Sequence, residues 1–139
     1  MILGVDPGER RIGIAIADAE TRWARPLEVI DARVVDPIAR IAALIGEHAV
    51  DRIVVGRPVS LSGEEGRAVD AQRSFVDRLS AAVKVPVEEY DERLTTVIAE
   101  RALREGGASP ERRKELRDAV AAQVMLQGYI EAGRGSSWR

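Results

Sequence analysis

Three acidic positions lie far apart in the chain and carry the side chains that metal-assisted phosphate chemistry needs. They are Asp6 at the end of an apolar run, the adjacent Asp91 and Glu92 after another, and Asp118 in a late helical stretch. A magnesium-type ion takes several oxygen ligands, so a fold that gathers distant carboxylates makes a site for hydrolysis at phosphorus. Each position has a plainer reading. Asp6 serves equally as a turn cap, and an acid among alanines such as Asp118 serves as an exposed helix residue paired with Arg117 or Lys114.

The elements that must position these acids can be read from the pattern. Ile2-Leu3-Gly4-Val5 is short, apolar and β-prone and runs into the turn-rich Asp6-Pro7-Gly8-Glu9-Arg10-Arg11. Ile12 to Asp18 resumes the apolar pattern, which predicts an antiparallel hairpin with Asp6 near its bend. Gly4, Gly8 and Gly13 leave the backbone bare around that carboxylate, so a phosphate or metal has room to approach. Trp23 to Ile30 supplies a third strand that closes a meander.

Asp36-Pro37 reads as an N-cap followed by proline in the first helical turn. Ile38, Ile41, Ala42, Leu44 and Ile45 then recur at helical spacing. The solitary His48 is placed near the negative end of that helix. Arg52 to Gly56 is a short apolar strand of the kind buried on both faces, which implies a parallel crossover. A loop over Arg57 to Gly66 leads to a helix over Glu65 to Ala82 with Val69, Phe75, Val76 and Leu79 directed inward. Pro86 to Tyr90 makes a fifth strand, Thr95 caps a helix through Arg104, and Gly106-Gly107 ends it. The last helix spans Ser109 to Ala132, with an apolar face of Leu116, Val120, Val124 and Tyr129.

The order βββαβαβαα predicts an α/β fold: a mixed five-stranded sheet with helices on both faces. At 139 residues the chain is read as one domain over residues 1–132, with a flexible tail over 133–139.

Composition excludes several classes of function. Zero cysteines rule out disulfides, thiolate zinc sites and a cysteine nucleophile, and a single histidine cannot build a multi-histidine metal site. No run approaches the roughly 18 apolar residues that cross a bilayer, and nothing resembles a signal peptide, so a cytoplasmic protein without membrane contact is expected. A formal charge of −2 argues against coating nucleic acid by bulk attraction, so such binding must be local. The basic residues are 19 arginines against Lys84 and Lys114. Guanidinium forks suit phosphate, although G+C-rich coding produces the same bias.

The fragments Gly4-Val5-Asp6-Pro7-Gly8, Arg11-Ile12-Gly13-Ile14-Ala15 and Arg25-Pro26-Leu27 open a longer series. It continues through Ile53-Val54-Val55-Gly56-Arg57-Pro58, Gly63-Glu64-Glu65-Gly66 and Asp91-Glu92-Arg93-Leu94-Thr95-Thr96, and closes on Asp118-Ala119-Val120-Ala121-Ala122 with Leu126-Gln127. In this order and spacing they resemble the YqgF family, also called RuvX, of nucleases related to the RuvC junction resolvase within the ribonuclease-H-like superfamily.

The resemblance implies a ribonuclease-H-like domain whose acids hold Mg²⁺ or Mn²⁺, as a two-metal site, and hydrolyse phosphodiesters. Asp6 would be the first-strand ligand, Glu92 or its neighbour Asp91 the second, and Asp118 the last-helix ligand. Glu92 is favoured over Asp91 for its longer reach. Arg10, Arg57 and Arg93 would grip flanking phosphates. The family is linked to trimming the 5′ end of precursor 16S rRNA, with cutting of Holliday junctions as the alternative and a non-catalytic assembly factor as a second one. The expected partner is nucleic acid, and the expected state is a monomer or weak homodimer.

Two departures stand out. The loop after the fourth strand reads Gly56-Arg57-Pro58-Val59-Ser60-Leu61-Ser62-Gly63, without the usual amide and acid. Ala121 stands where RuvC resolvases carry a second Asp. A rival reading, the phosphate loop of actin-like ATPases, requires two lobes around a cleft, and this chain has room for one.

Overall fold

The computed structural model of the chain describes residues 1–8, 10–57, 65–91 and 110–132, and side chains at 1–8, 10–56, 70–90 and 117–132. Glu92, Arg93, the expected Thr95–Arg104 helix, the loop over 58–64 and the tail over 133–139 lie outside the described residues.

The elements run β1 (Ile2–Pro7), β2 (Arg11–Ala17), β3 (Ala24–Asp31), α1 (Pro37–His48), β4 (Arg52–Arg57), α2 (Glu65–Ala82), β5 (Val87–Asp91) and α3 (Pro110–Glu131). One sheet orders its strands β3-β2-β1-β4-β5. The opening meander pairs antiparallel, and β1, β4 and β5 pair parallel, which makes the sheet mixed and puts β1 at its centre. The parallel crossover expected from the apolar β4 is present.

Alternation within the strands separates two cores. Leu3, Val5, Ile12, Ile14, Ile16, Ile53 and Val55 point to the face covered by α1 and α2, where Ile41, Leu44, Phe75 and Leu79 meet them. Each such fully buried aliphatic side chain contributes about 1.5–3 kcal/mol of transfer free energy. The opposite face carries Ile2, Ala15, Ala17 and Val54 against Ala122, Met125, Leu126, Tyr129 and Ile130 of α3. The sequence of β2, Ile-Gly-Ile-Ala-Ile-Ala after Arg11, thus encodes a bulky face and a small-residue face at once.

Local chemistry closes the elements. The Asp36 side chain accepts from the Ile38 N–H at 3.1 Å, with Pro37 just inside the helix, as the sequence predicts. Ala49 ends α1 in the left-handed region at φ 52°, its N–H bonded to the Ile45 carbonyl. The β2–β3 register shifts between Ile14 and Ala15, so that Glu28 and Pro26 oppose consecutive residues and Leu27 is extra. A proline on an edge strand beside a bulge removes no needed donor.

The apolar face of α3 differs from the expectation. Val120 and Tyr129 are buried as predicted, but the helix meets the sheet through Ala122, Met125, Leu126, Tyr129 and Ile130. Val120 and Ala121, with Val124 beside them, form a separate small cluster. Leu116 lies among the side chains that are not described. A single i, i+4 stripe underestimates a helix whose buried surface spans more than one stripe.

Polar groups fix the helix along its axis. Gln127 accepts from the Ala24 N–H at 2.8 Å and donates to the Arg22 carbonyl at 3.2 Å, while Gln123 donates to the Ala24 carbonyl at 3.1 Å. The Tyr129 hydroxyl donates to Glu88 at 2.7 Å and accepts from Arg52 at 3.0 Å, and its ring meets Tyr90 edge-on. Burial, followed by the Glu88 hydrogen bond, pushes the Tyr129 phenol above its usual pKa. The neutral phenol is therefore favoured by folding. This contribution is fully present below the unfolded value of about 10 and is lost as pH rises through the higher folded value. Tyr129→Phe is expected to lower the unfolding free energy by about 1–2 kcal/mol in urea at neutral pH and to flatten the alkaline limb of stability. An unchanged denaturation midpoint would show that this network adds nothing.

Candidate metal centre

Asp6 is half-buried near the end of the central strand. Ile2 and Gly4 face α3, whereas Leu3 and Val5 face the other core, so the alternation puts Asp6 on the α3 side. Its partner across the hairpin is Gly13 of β2, with antiparallel Cα atoms about 4.5–5.5 Å apart. The expected antiparallel hairpin is present, and at its bend Gly8 N–H donates to the Arg11 carbonyl at 3.0 Å, and a Cβ at Gly8 would sit 2.6 Å from that oxygen.

At Gly13 the backbone of α3 comes directly against the sheet. A Cβ built there would lie 1.8 Å from the Asp118 carbonyl oxygen and 3.0 Å from the Ala119 nitrogen. The backbone of Asp118 therefore rests on the residue that pairs with Asp6. Gly4 sets the next contact along the helix, where a Cβ would come within 3.0 Å of Leu126. The small residues Ala119, Ala121 and Ala122, all buried, let the helix come in this close. Asp118 itself is half-buried.

Asp6 and the backbone of Asp118 thus lie at one end of the sheet, on one face, over adjacent strands. Asp91 reaches the same end by a different route. It is the last residue of β5 and pairs with Arg57, the last of β4, in a register that continues from Val5 opposite Val55. Strands spaced at about 4.8 Å put its backbone roughly 10 Å from that of Asp6. The side chains of Asp91 and Arg57 are not described, and Glu92 and Arg93 lie outside the described residues. Arg10 sits exposed at the hairpin bend, and its carbonyl accepts from the Ala32 N–H at 2.8 Å.

The carboxylates of Asp6 and Asp118 are hard oxygen donors, the type taken by Mg²⁺ or Mn²⁺, ions that keep several waters and need few protein ligands. Among the described residues, no group of three or more metal-type side chains converges.

Two residues of this end were not singled out from the sequence. Gln72 of α2 is buried and donates from its amide nitrogen to the Gly56 carbonyl at 2.7 Å, pinning the end of β4 beside Asp6. Its spacing was a legible signal, three residues before Phe75 and seven before Leu79 on the buried face. Arg11 is the second; its parity with Gly13 puts it on the α3 face, whereas attention to the turn picks out Arg10.

The sheet order, with helices on both faces and acids at one strand end, defines a ribonuclease-H-like fold. Solved structures of that fold are similar over nearly the whole chain. The Thermus thermophilus RuvC in complex with Holliday junction substrate gives a TM-score of 0.59 at 22% identity, covering 95% of each chain. The yeast mitochondrial Holliday junction resolvase Ydc2 gives 0.54 at 13% identity, covering 99% of this chain and 80% of that one. The family model described as "RuvX: Holliday junction resolvase" matches residues 1–132, and the chain belongs to this family. A Chloroflexus aggregans relative named "Putative pre-16S rRNA nuclease" is 50% identical over 134 residues, covering 96% of this chain and 94% of its own. An Anaeromyxobacter relative of the same name is 45% identical, covering 93% of this chain and 95% of its own.

Gly13→Ala tests the close approach on which this site is built. The methyl group has backbone, not a flexible side chain, in its path, so the helix must move away from the sheet. A loss of about 3 kcal/mol in urea unfolding is expected. A variant as stable as the parent would show that α3 does not rest on β2 at this point.

Proposed function

We propose that the chain is a divalent-metal-dependent nuclease and that it trims the 5′ end of precursor 16S rRNA. The observation that supports the reading is the seating of the Asp118 backbone on Gly13, the strand partner of Asp6, so that acidic residues from the two extremes of the chain lie on neighbouring parts of one face. The family membership and the name carried by the relatives support the same reading.

Bound Mg²⁺ or Mn²⁺, as one or two ions, would supply the positive charge that stabilises in-line displacement at phosphorus. Asp6 and Asp118 would hold that charge through their carboxylate oxygens, with Glu92 or Asp91 as the further ligand. A cation that binds the folded chain and not the unfolded one would stabilise the fold. Arg10, Arg57 and Arg93 grip phosphates on either side of the scissile one. Ala121, where RuvC resolvases carry an acid, leaves the carboxylate set thinner.

Cleavage of Holliday junctions is the second reading, favoured by the description of the matched family and by the likeness to RuvC at the level of fold. A binding factor that assists ribosome assembly without cutting is the third. No helix among the described residues is long and apolar enough to cross a membrane.

Asp6→Asn and Asp118→Asn, assayed in Mn²⁺ on a precursor 16S rRNA fragment and on a four-way DNA junction, test the proposal. Each variant is expected to lose more than the roughly 10–100-fold typical of outer ligand partners, and to lose the rise in Tm that Mn²⁺ gives the parent. Parental cleavage by either variant would overturn the site. Cleavage of the junction alone would move the function to the second reading, and binding without cleavage to the third.

A further inference from the structure

Arg11 opens β2, two residues before Gly13, and pairs across the sheet with Asp31 of β3. Residues two apart on a strand share a face, so Arg11 stands on the α3 side with Asp6, about 6.8 Å along β2 from the contact that seats Asp118. Its side chain is exposed.

The acids of β3 and of the segment that follows it are already engaged. Asp31 accepts from Arg33 Nε at 3.2 Å and Nη2 at 3.1 Å, and also from the Arg33 backbone N–H at 3.0 Å. These hydrogen bonds, with a lesser through-space contribution from Arg11, hold the Asp31 carboxyl below the usual carboxylate range. Glu28 is forked onto Arg40 at 2.9 and 2.7 Å, and Asp36 caps α1. Among the described residues, no carboxylate lies within ion-pair distance of the Arg11 guanidinium.

The backbone beneath it is stiff. Gly8 N–H donates to the Arg11 carbonyl, Ala32 N–H to that of Arg10, and Val34 and Val35 N–H to that of Asp31, each at 2.8–3.0 Å. The hairpin bend and the turn after β3 therefore form one block, and a guanidinium mounted on it loses little backbone freedom when it binds an anion.

We infer that Arg11 is a substrate-positioning residue: it binds a backbone phosphate of the nucleic acid beside the scissile one, on the β3 side of the site. The inference rests on the nuclease reading above and deepens it by giving the substrate strand a direction. The strand crosses the carboxylate end of the sheet from β3 towards β5, with Arg11 at its entry. The planar fork of arginine suits a phosphate diester, and either RNA or DNA supplies one.

The test compares Arg11→Ala, Arg11→Lys and Arg25→Ala with the parent. Arg25 is a control, an exposed arginine on β3 opposite Ile16, away from this end of the sheet. Binding of a fluorescent single-stranded RNA is measured in EDTA across a salt series, and cleavage in Mn²⁺ gives KM and kcat. Arg11→Ala is expected to reduce the slope of log K against log salt by about 0.7 and to raise KM roughly tenfold with kcat nearly unchanged. Arg11→Lys should recover the slope and part of KM, and Arg25→Ala should match the parent. Parental slope and KM in Arg11→Ala, or a loss confined to kcat, would overturn the inference. A parent that binds RNA but cuts nothing would sink the nuclease reading while leaving the slopes to judge Arg11.

Discussion

The molecule depends on how closely its last helix lies against its first hairpin. At Gly13 the approach leaves no room for a side chain, because the carbonyl of Asp118 occupies the place where a Cβ would be. A helix normally packs on a sheet with side chains between the backbones, near 10 Å apart. Here glycines at positions 4 and 13 and alanines at 15, 17, 119 and 122 remove that layer over part of the contact. The consequence is chemical as well as mechanical. Only a helix seated this low carries an acid on its backbone to the level of a strand-end acid on the neighbouring β1.

The two faces of the sheet divide the work. The α1 and α2 side is filled with branched aliphatic residues and forms the larger of the two buried clusters among the described residues, so it supports the fold without every contact on the α3 side having to be bulky. That freedom lets the α3 side be built from small residues and polar clamps. Gln123 and Gln127 hold the helix to residues 22–24, and Tyr129 holds it to β4 and β5 through Arg52 and Glu88. These bonds resist sliding of α3, and a slide of one turn would carry Asp118 about 5.4 Å from its seat. Gln72 performs a comparable service on the other face, fixing the end of β4 where the sheet presents Arg57.

Much of this was legible from the residues. The alternation in β2 gave its two faces, Asp36-Pro37 gave the start of α1, and the apolar β4 gave the parallel crossover, since each signal is local and the chemistry behind it is short-range. The alanines beside Asp118 are the local trace of the close-docked helix. The contact surface of α3 was read too narrowly, because a stripe at i, i+4 cannot show that Met125 and Leu126 both face the sheet. Arg11 is less conspicuous in the sequence than Arg10 for a related reason. A turn draws attention to its apex, whereas the face shared with Asp6 depends on register, which is fixed by pairing between strands. The choice between Asp91 and Glu92 has the same character. One residue of register decides which side of a strand end an acid serves, and composition carries no trace of it.

The central claim is that Asp6 and Asp118 share a cation. Crystals grown with Mn²⁺ and measured at a wavelength where manganese scatters anomalously address it directly. An anomalous peak is expected within about 2.5 Å of carboxylate oxygens from both residues, on the α3 face beside Gly13. A peak held by only one of them, or located on another part of the surface while both carboxylates are ordered and unligated, would contradict it.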